Sequence, residues 1–273
     1  MKAAERIDGI QVDDLVYKNL YKLGAAAALI AALAFRRNMD AEYMLARSMG
    51  IIKVGPTTVP GNTADWFALL QNHRLIGLTL LNLFDLVNYA LVGLIFLALW
   101  AALRKTSPAG TALATALSFV GVAAYFASNQ ALGLLSLSSR YTSASSELQR
   151  EAYLAAGQAG LAIHQANSFA GVGIYPSFLL VSLAGLLLST IMLHSSWFGK
   201  GAAFTGILAN AIGLSYYLAL IFTPSLTFLP LSISALFLLA WYVLIAVRLW
   251  KFRREGRAKR SISTAQPSEA VYQ

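Results

Sequence analysis

The chain has 273 residues, of which 58% are hydrophobic, 12% are charged and none is cysteine, and its formal net charge is +9. A soluble domain carries about 25% charged residues and shows much of its surface to water, so a composition this apolar excludes an ordinary soluble globule. The lack of cysteine excludes disulfides, iron–sulfur clusters and thiol catalysis.

The apolar residues come in long runs rather than at spacings of two or 3.6, which means lipid on every side of a helix. The expected fold is therefore all-α: a polytopic transmembrane helical bundle of six spans, with short interfacial helices in two long outer connections. Residues 1–16 carry Asp8, Asp13 and Asp14 and read as a cytoplasmic lead-in. Residues 17–250 form one transmembrane domain.

The first span is placed at about 17–36. Its apolar stretch, Leu23 to Phe35, is shorter than the ~20 residues a crossing needs, so Lys18 and Lys22 must snorkel to extend it. Ala32-Leu33-Ala34 has the small-residue spacing of a signal-peptide cleavage site, and an uncleaved signal-like segment is the rival reading. The long acidic lead-in stands against it. Residues 36–73 are a polar connection broken by Pro56 and Pro60, with a short helix from Thr63 to Gln71 that sets Trp66 and Phe67 near the interface.

The second span is predicted at 75–103 and the third at 111–137, joined by a tight turn at Arg104-Lys105-Thr106-Ser107-Pro108. Residues 138–167 are polar again. There Ser146 and Gln149 fit a capping box, and Leu148, Ala152, Ala156 and Ala159 give a weakly apolar face, as on a helix lying on the membrane surface. The fourth span is placed at 169–193, the fifth at 202–222 and the sixth at 226–249, with Pro224 and Pro230 shaping the last hairpin. No span pair reads as broken within the membrane.

Residues 251–273 are a basic tail, led by Lys251, Arg253, Arg254, Arg257, Lys259 and Arg260. Such a run reads as a cytoplasmic flank on anionic lipid headgroups, with nucleic acid a distant second. With both ends inside, the inner segments hold twice as many Lys and Arg as the outer ones, the asymmetry expected of cytoplasmic termini in a cell (inner) membrane.

Within the predicted spans one charge is found, Asp85. It lies ~15 Å along the second helix from Leu75, near mid-bilayer. Asn82, Asp85 and Tyr89 share a helix face, with Asn88 at its edge. The third span carries a stripe of Ser118, Gly121, Tyr125, Asn129 and Ser136. The fourth carries Gly171, Tyr175, Ser182, Gly185 and Ser189, and the fifth Gly206, Asn210, Gly213 and Tyr217. Small residues and Asn or Ser at such spacing most often serve helix packing. An intramembrane carboxylate with no Lys or Arg at its own depth must be kept protonated, hydrogen-bonded, wetted or paired with a cationic ligand. The expectation is an outward-opening pocket lined by Asn82, Asp85, Tyr89, Tyr125, Asn129, Asn210 and Tyr217; a structural, hydrogen-bonded Asp85 is the equal alternative.

No catalytic residue, metal site or cofactor is expected. The three histidines, His73, His164 and His194, lie apart and match no zinc spacing. Two of them could ligate a haem, but interfacial roles explain them more simply. No lysine lies mid-span to form a retinal Schiff base. No phosphate-binding glycine loop or nucleophile elbow is found, so an enzyme is the lesser reading.

The stretches Asp85 to Gly93, Ile207 to Tyr217 and Tyr125 to Tyr141 resemble the prokaryotic multi-pass membrane proteins of domain-of-unknown-function family 4386, over about residues 15–250. The resemblance implies a six-span helical fold in a prokaryotic cell membrane and assigns no activity. Two functional expectations follow from the residues. One is binding or transport of a small apolar or amphipathic ligand near Asp85. The other is a non-catalytic accessory or scaffold subunit of a larger membrane complex. The lipid bilayer is the partner common to both, and no nucleic acid is expected.

Overall fold

Long apolar runs fold as helices because lipid offers no partner to a free backbone N–H or C=O. The computed structural model describes residues 17–48, 60–167 and 174–264, and every regular element among them is helical. In chain order these are α1 (Lys18–Ser48), α2 (Thr63–Asn72), α3 (Arg74–Leu80), α4 (Leu83–Leu103), α5 (Pro108–Ser128), α6 (Ala131–Thr142), α7 (Glu147–Asn167), α8 (Ile174–Leu193), α9 (Lys200–Phe222), a 3-10 turn (Pro224–Leu226) and α10 (Phe228–Thr264).

Five stretches are long and apolar enough to cross a membrane: 83–103, 108–142, 175–193, 200–222 and 224–251. That fits a multi-pass membrane protein. The expected first span, 17–36, falls in α1, which is not among these five. The start of the expected fourth span, 169–173, lies outside the described residues, as does the lead-in 1–16. The basic tail begins as helix, since α10 continues to Thr264.

Two expectations are corrected. The second span does not run unbroken from Leu75, and the third does not run unbroken from Thr111 to Leu137. Asn82 interrupts the first of them with a φ of 60°, a left-handed conformation that Asn tolerates better than other side chains. Its N–H reaches the Thr79 carbonyl at 3.0 Å, which tightens the last turn of α3. The Thr79 hydroxyl donates to the Leu75 carbonyl at 2.8 Å and so competes with the helix's own ladder.

At the second interruption, Ser128 Oγ donates to the Tyr125 carbonyl at 3.0 Å and Gln130 Nε2 to the Ser128 carbonyl at 3.2 Å. The Asn129 side-chain oxygen accepts the Ala131 N–H at 3.0 Å and starts α6. Polar side chains thus take over groups that the helix would otherwise bond to itself.

The chain divides into two units: 1–32, 91–115 and 184–273 in the first, 33–90 and 116–183 in the second. In the first unit small residues face inward. Ala25, Ala27, Ala28 and Ala31 of α1 are buried, while Leu23, Leu29 and Ile30 are exposed. Gly24 sits against Ala98 and Leu249, so close that a Cβ would collide. In α9, Ala203, Gly206, Asn210 and Gly213 are buried while Phe204, Leu208, Leu218 and Ile221 are exposed. Small-in, large-out is the arrangement of helices that pack by close backbone approach within lipid.

In the second unit α2, α3, α6 and α7 enclose a core of Trp66, Phe67, Leu70, Leu78, Leu81, Ala131, Leu134 and Leu161. Each large apolar side chain sealed there contributes roughly 1.5–3 kcal/mol. Trp66 and Phe67 are buried members of this core. Asn62 caps α2 by accepting the Asp65 N–H at 2.9 Å.

On α7 the face of Leu148, Ala152, Ala156 and Ala159 is exposed, and the side packed on the protein is Gly157, Gly160, Leu161 and His164. The two glycines allow that packing: Gly157 lies against Phe67 and Thr63, and Gly160 against Leu134, contacts that hydrophobic periodicity does not register. The capping box is half formed. Ser146 Oγ accepts the Gln149 N–H at 3.3 Å, but Gln149 Oε1 accepts from the Ser145 N–H at 3.1 Å rather than from that of Ser146.

Candidate functional site at a paired helix break

The break at Asn82 and the break at Asn129 meet. Asn129 Nδ2 donates to the Asn82 carbonyl at 3.4 Å, so the end of α3, the start of α4, the end of α5 and the start of α6 come to one place. Helix ends carry unpaired backbone groups, and a junction of four of them concentrates such groups in a small volume.

Asp85 stands at this junction. It is in the first turn of α4, ~3 Å along the axis from Leu83. The break starts the long apolar helix at Leu83 rather than Leu75, so Asp85 lies at its end rather than midway along it. An acidic side chain suits that position, because the N-terminal end of a helix carries partial positive charge.

Tyr125 Oη donates to Asp85 Oδ2 at 3.2 Å. The Tyr125 ring stacks on that of Tyr89 with centroids 3.9 Å apart and planes 7° from parallel. Tyr89 is one turn beyond Asp85 on α4, so the stack ties α4 to α5 and holds the Tyr125 hydroxyl at the carboxylate. Asp85 itself is half-buried. Among the described residues no cationic side chain acts on it.

α8 closes a third side. Gly121 of α5 approaches so near that a Cβ there would lie 3.0 Å from the Ser177 carbonyl and 2.9 Å from Val181 Cγ2. Ser177 is sealed from solvent, and its hydroxyl faces the Tyr89 hydroxyl. Asn88, three residues past Asp85, has a buried side-chain oxygen that lacks a donor.

Five of the residues singled out in the sequence, Asn82, Asp85, Tyr89, Tyr125 and Asn129, thus form one cluster in the second unit. Asn210 and Tyr217 belong to the first unit. Asn210 is buried, donates to the Gly206 carbonyl at 2.7 Å and packs against Gly185. Tyr217 meets Tyr216 edge-on at 5.5 Å. Ser136, from the same stripe as Tyr125 and Asn129, is exposed, because the break rotates α6 out of the register of α5. Ser177 was not singled out; a serine in an apolar helix reads as packing.

The histidines stand apart from the cluster. His73 is an exposed residue at the junction of α2 and α3. His194 is exposed, with Nδ1 3.3 Å from the Thr190 carbonyl. His164 is buried on α7, and burial holds its imidazole below the ordinary histidine range. Comparison with protein-family models, with curated proteins and with solved structures finds no match.

Proposed function

We propose that this is a six-span protein of a prokaryotic cell membrane, with both termini cytoplasmic, that binds a small amphipathic ligand at the Asp85 junction, as a sensor, carrier or transporter. The observation that carries the reading is the meeting of two interrupted helices around a half-buried carboxylate held by one side-chain hydrogen bond. Irregular backbone in a helical membrane protein is tolerated only against protein or a wet cavity, and the helix ends gathered here leave backbone groups open to a ligand.

The ligand is amphipathic because of where the junction lies. α4 has 21 residues, ~31 Å at 1.5 Å per residue, which matches the ~30 Å hydrocarbon core. Asp85 then sits at the boundary of hydrocarbon and headgroups, where a polar head can reach it from an apolar tail's position. Support for the sixth crossing comes from α1, whose buried alanines and exposed Leu23, Leu29 and Ile30 repeat the small-in, large-out pattern of α9. The excess of Lys and Arg on the inner segments supports the orientation. Resemblance to domain-of-unknown-function family 4386 is compatible with all of this and adds no activity.

Native mass spectrometry of the gently extracted protein tests the reading. A lone chain carrying a small bound mass that is lost in Asp85→Leu supports it. A chain with no bound mass, or one whose bound mass is indifferent to Asp85, overturns it. A second reading, an accessory subunit, is favoured by one observation: outside the five membrane-crossing stretches, α7 leaves Leu148 and Ile163 exposed. A second protein at fixed stoichiometry in the same spectra would establish it.

A further inference from the structure

We infer that the group recognised at the junction is a protonated amine on the head of the amphiphile, an inference that rests on the ligand-binding reading above. The ground is an imbalance of hydrogen-bonding groups. A carboxylate can accept about four hydrogen bonds, and Asp85 receives one from a side chain, through Oδ2. Asn88 Oδ1 is buried and receives none. The Tyr125 hydroxyl donates to Asp85, one Asn129 N–H to the Asn82 carbonyl, and the Tyr89 and Ser177 hydroxyls face each other. Asp85 therefore keeps acceptor positions open, a second acceptor beside it has no donor, and no cationic side chain among the described residues acts on it.

An alkylammonium corrects all three conditions. It brings three N–H donors and a positive charge to the carboxylate. The stacked tyrosines add π-faces that attract cations. The tail has somewhere to go: Phe84, next to Asp85 in α4, is an exposed apolar side chain. An alcohol of the same length would offer one donor and no charge, and a carboxylate amphiphile would add acceptors where they are already in surplus.

The test uses the whole protein in discs of zwitterionic phosphatidylcholine at pH 7, with thermal unfolding as readout. Decylamine, decanol and decanoate are added at equal concentration. Decylamine is expected to raise the midpoint by a few degrees, decanol by less and decanoate not at all. In Asp85→Asn the affinity for decylamine should fall about ten-fold or more, as loss of a charge-assisted bond implies, while the small decanol effect stays. Equal stabilisation by decylamine and decanol, lost together in Asp85→Asn, would overturn the amine and leave the ligand-binding reading standing. No stabilisation by any of the three would remove both. The comparison of amine with alcohol on the native chain needs no variant, so it decides the matter even where Asp85→Asn does not fold.

Discussion

Asp85 and Tyr125 are joined by one hydrogen bond and Tyr125 to Tyr89 by one stack, so the two contributions can be separated by substitution. Tyr125→Phe removes the bond and keeps the ring; a loss of about 0.5–1.5 kcal/mol in unfolding free energy is expected. Tyr125→Leu also removes the stack, worth a further ~0.5–1.5 kcal/mol. Unfolding in mixed detergent micelles measures both, and equal losses would mean that the stack contributes nothing. His164 carries a pH dependence of its own. Burial lowers its folded pKa, so the unfolded chain binds the proton more readily. The stability it supports is complete above the unfolded value of about 6.5 and is lost as pH falls below that. The protection of the α7 amides, relative to their intrinsic exchange at each pH, should therefore fall between pH 7.5 and 5.5, and His164→Leu should flatten the change. At this scale much was legible in the sequence. Asp85 and Tyr89 are four residues apart, as are Tyr125 and Asn129, so helical periodicity alone put each pair on one face. Ser177 was not legible, because its importance comes from a neighbour on another helix.

The interruptions belong to the scale of elements, and here the sequence misleads for a physical reason. Neither break contains Pro or Gly at its centre: one turns on Leu81 and Asn82, the other on Asn129 and Gln130. Hydropathy averages across both, and the apolar run looks continuous. What breaks the helices is competition by short polar side chains for backbone groups, together with one left-handed Asn. Asn82→Ala should cost ~1–2 kcal/mol, because Ala pays the full steric price of positive φ, whereas Asn82→Gly should be near neutral. If the Ala and Gly variants unfold alike, the backbone at Asn82 is not what shapes the junction. The same scale explains which face of α7 packs on the protein. Gly157 is chosen for the closeness of Phe67, so Gly157→Ala should destabilise the second unit's core by about 1–3 kcal/mol through overpacking, seen as faster exchange in α2 and α7 together.

For the whole molecule the decisive quantity is the number of crossings, because an even number returns the tail to the side of the lead-in. Five stretches qualify by length and apolar content, and the proposed sixth rests on α1. The chain has no cysteine, so single cysteines can be placed without background. Ser107→Cys and Ser196→Cys lie in short connections between spanning helices on the proposed cytoplasmic side; Ser145→Cys and Ser225→Cys lie on the other. A membrane-impermeant maleimide should label the second pair in intact cells and the first pair only in inverted vesicles. Lys2→Cys then counts the crossings. With six spans it labels with Ser107→Cys, because α1 carries the chain across before α4 carries it back. With five it labels with Ser145→Cys in intact cells, and α1 becomes a helix packed on the bundle without crossing. The second outcome would also remove the orientation argument, since Lys2, Arg6, Lys18 and Lys22 would move to the outer side and leave ten Lys and Arg inside against eleven outside.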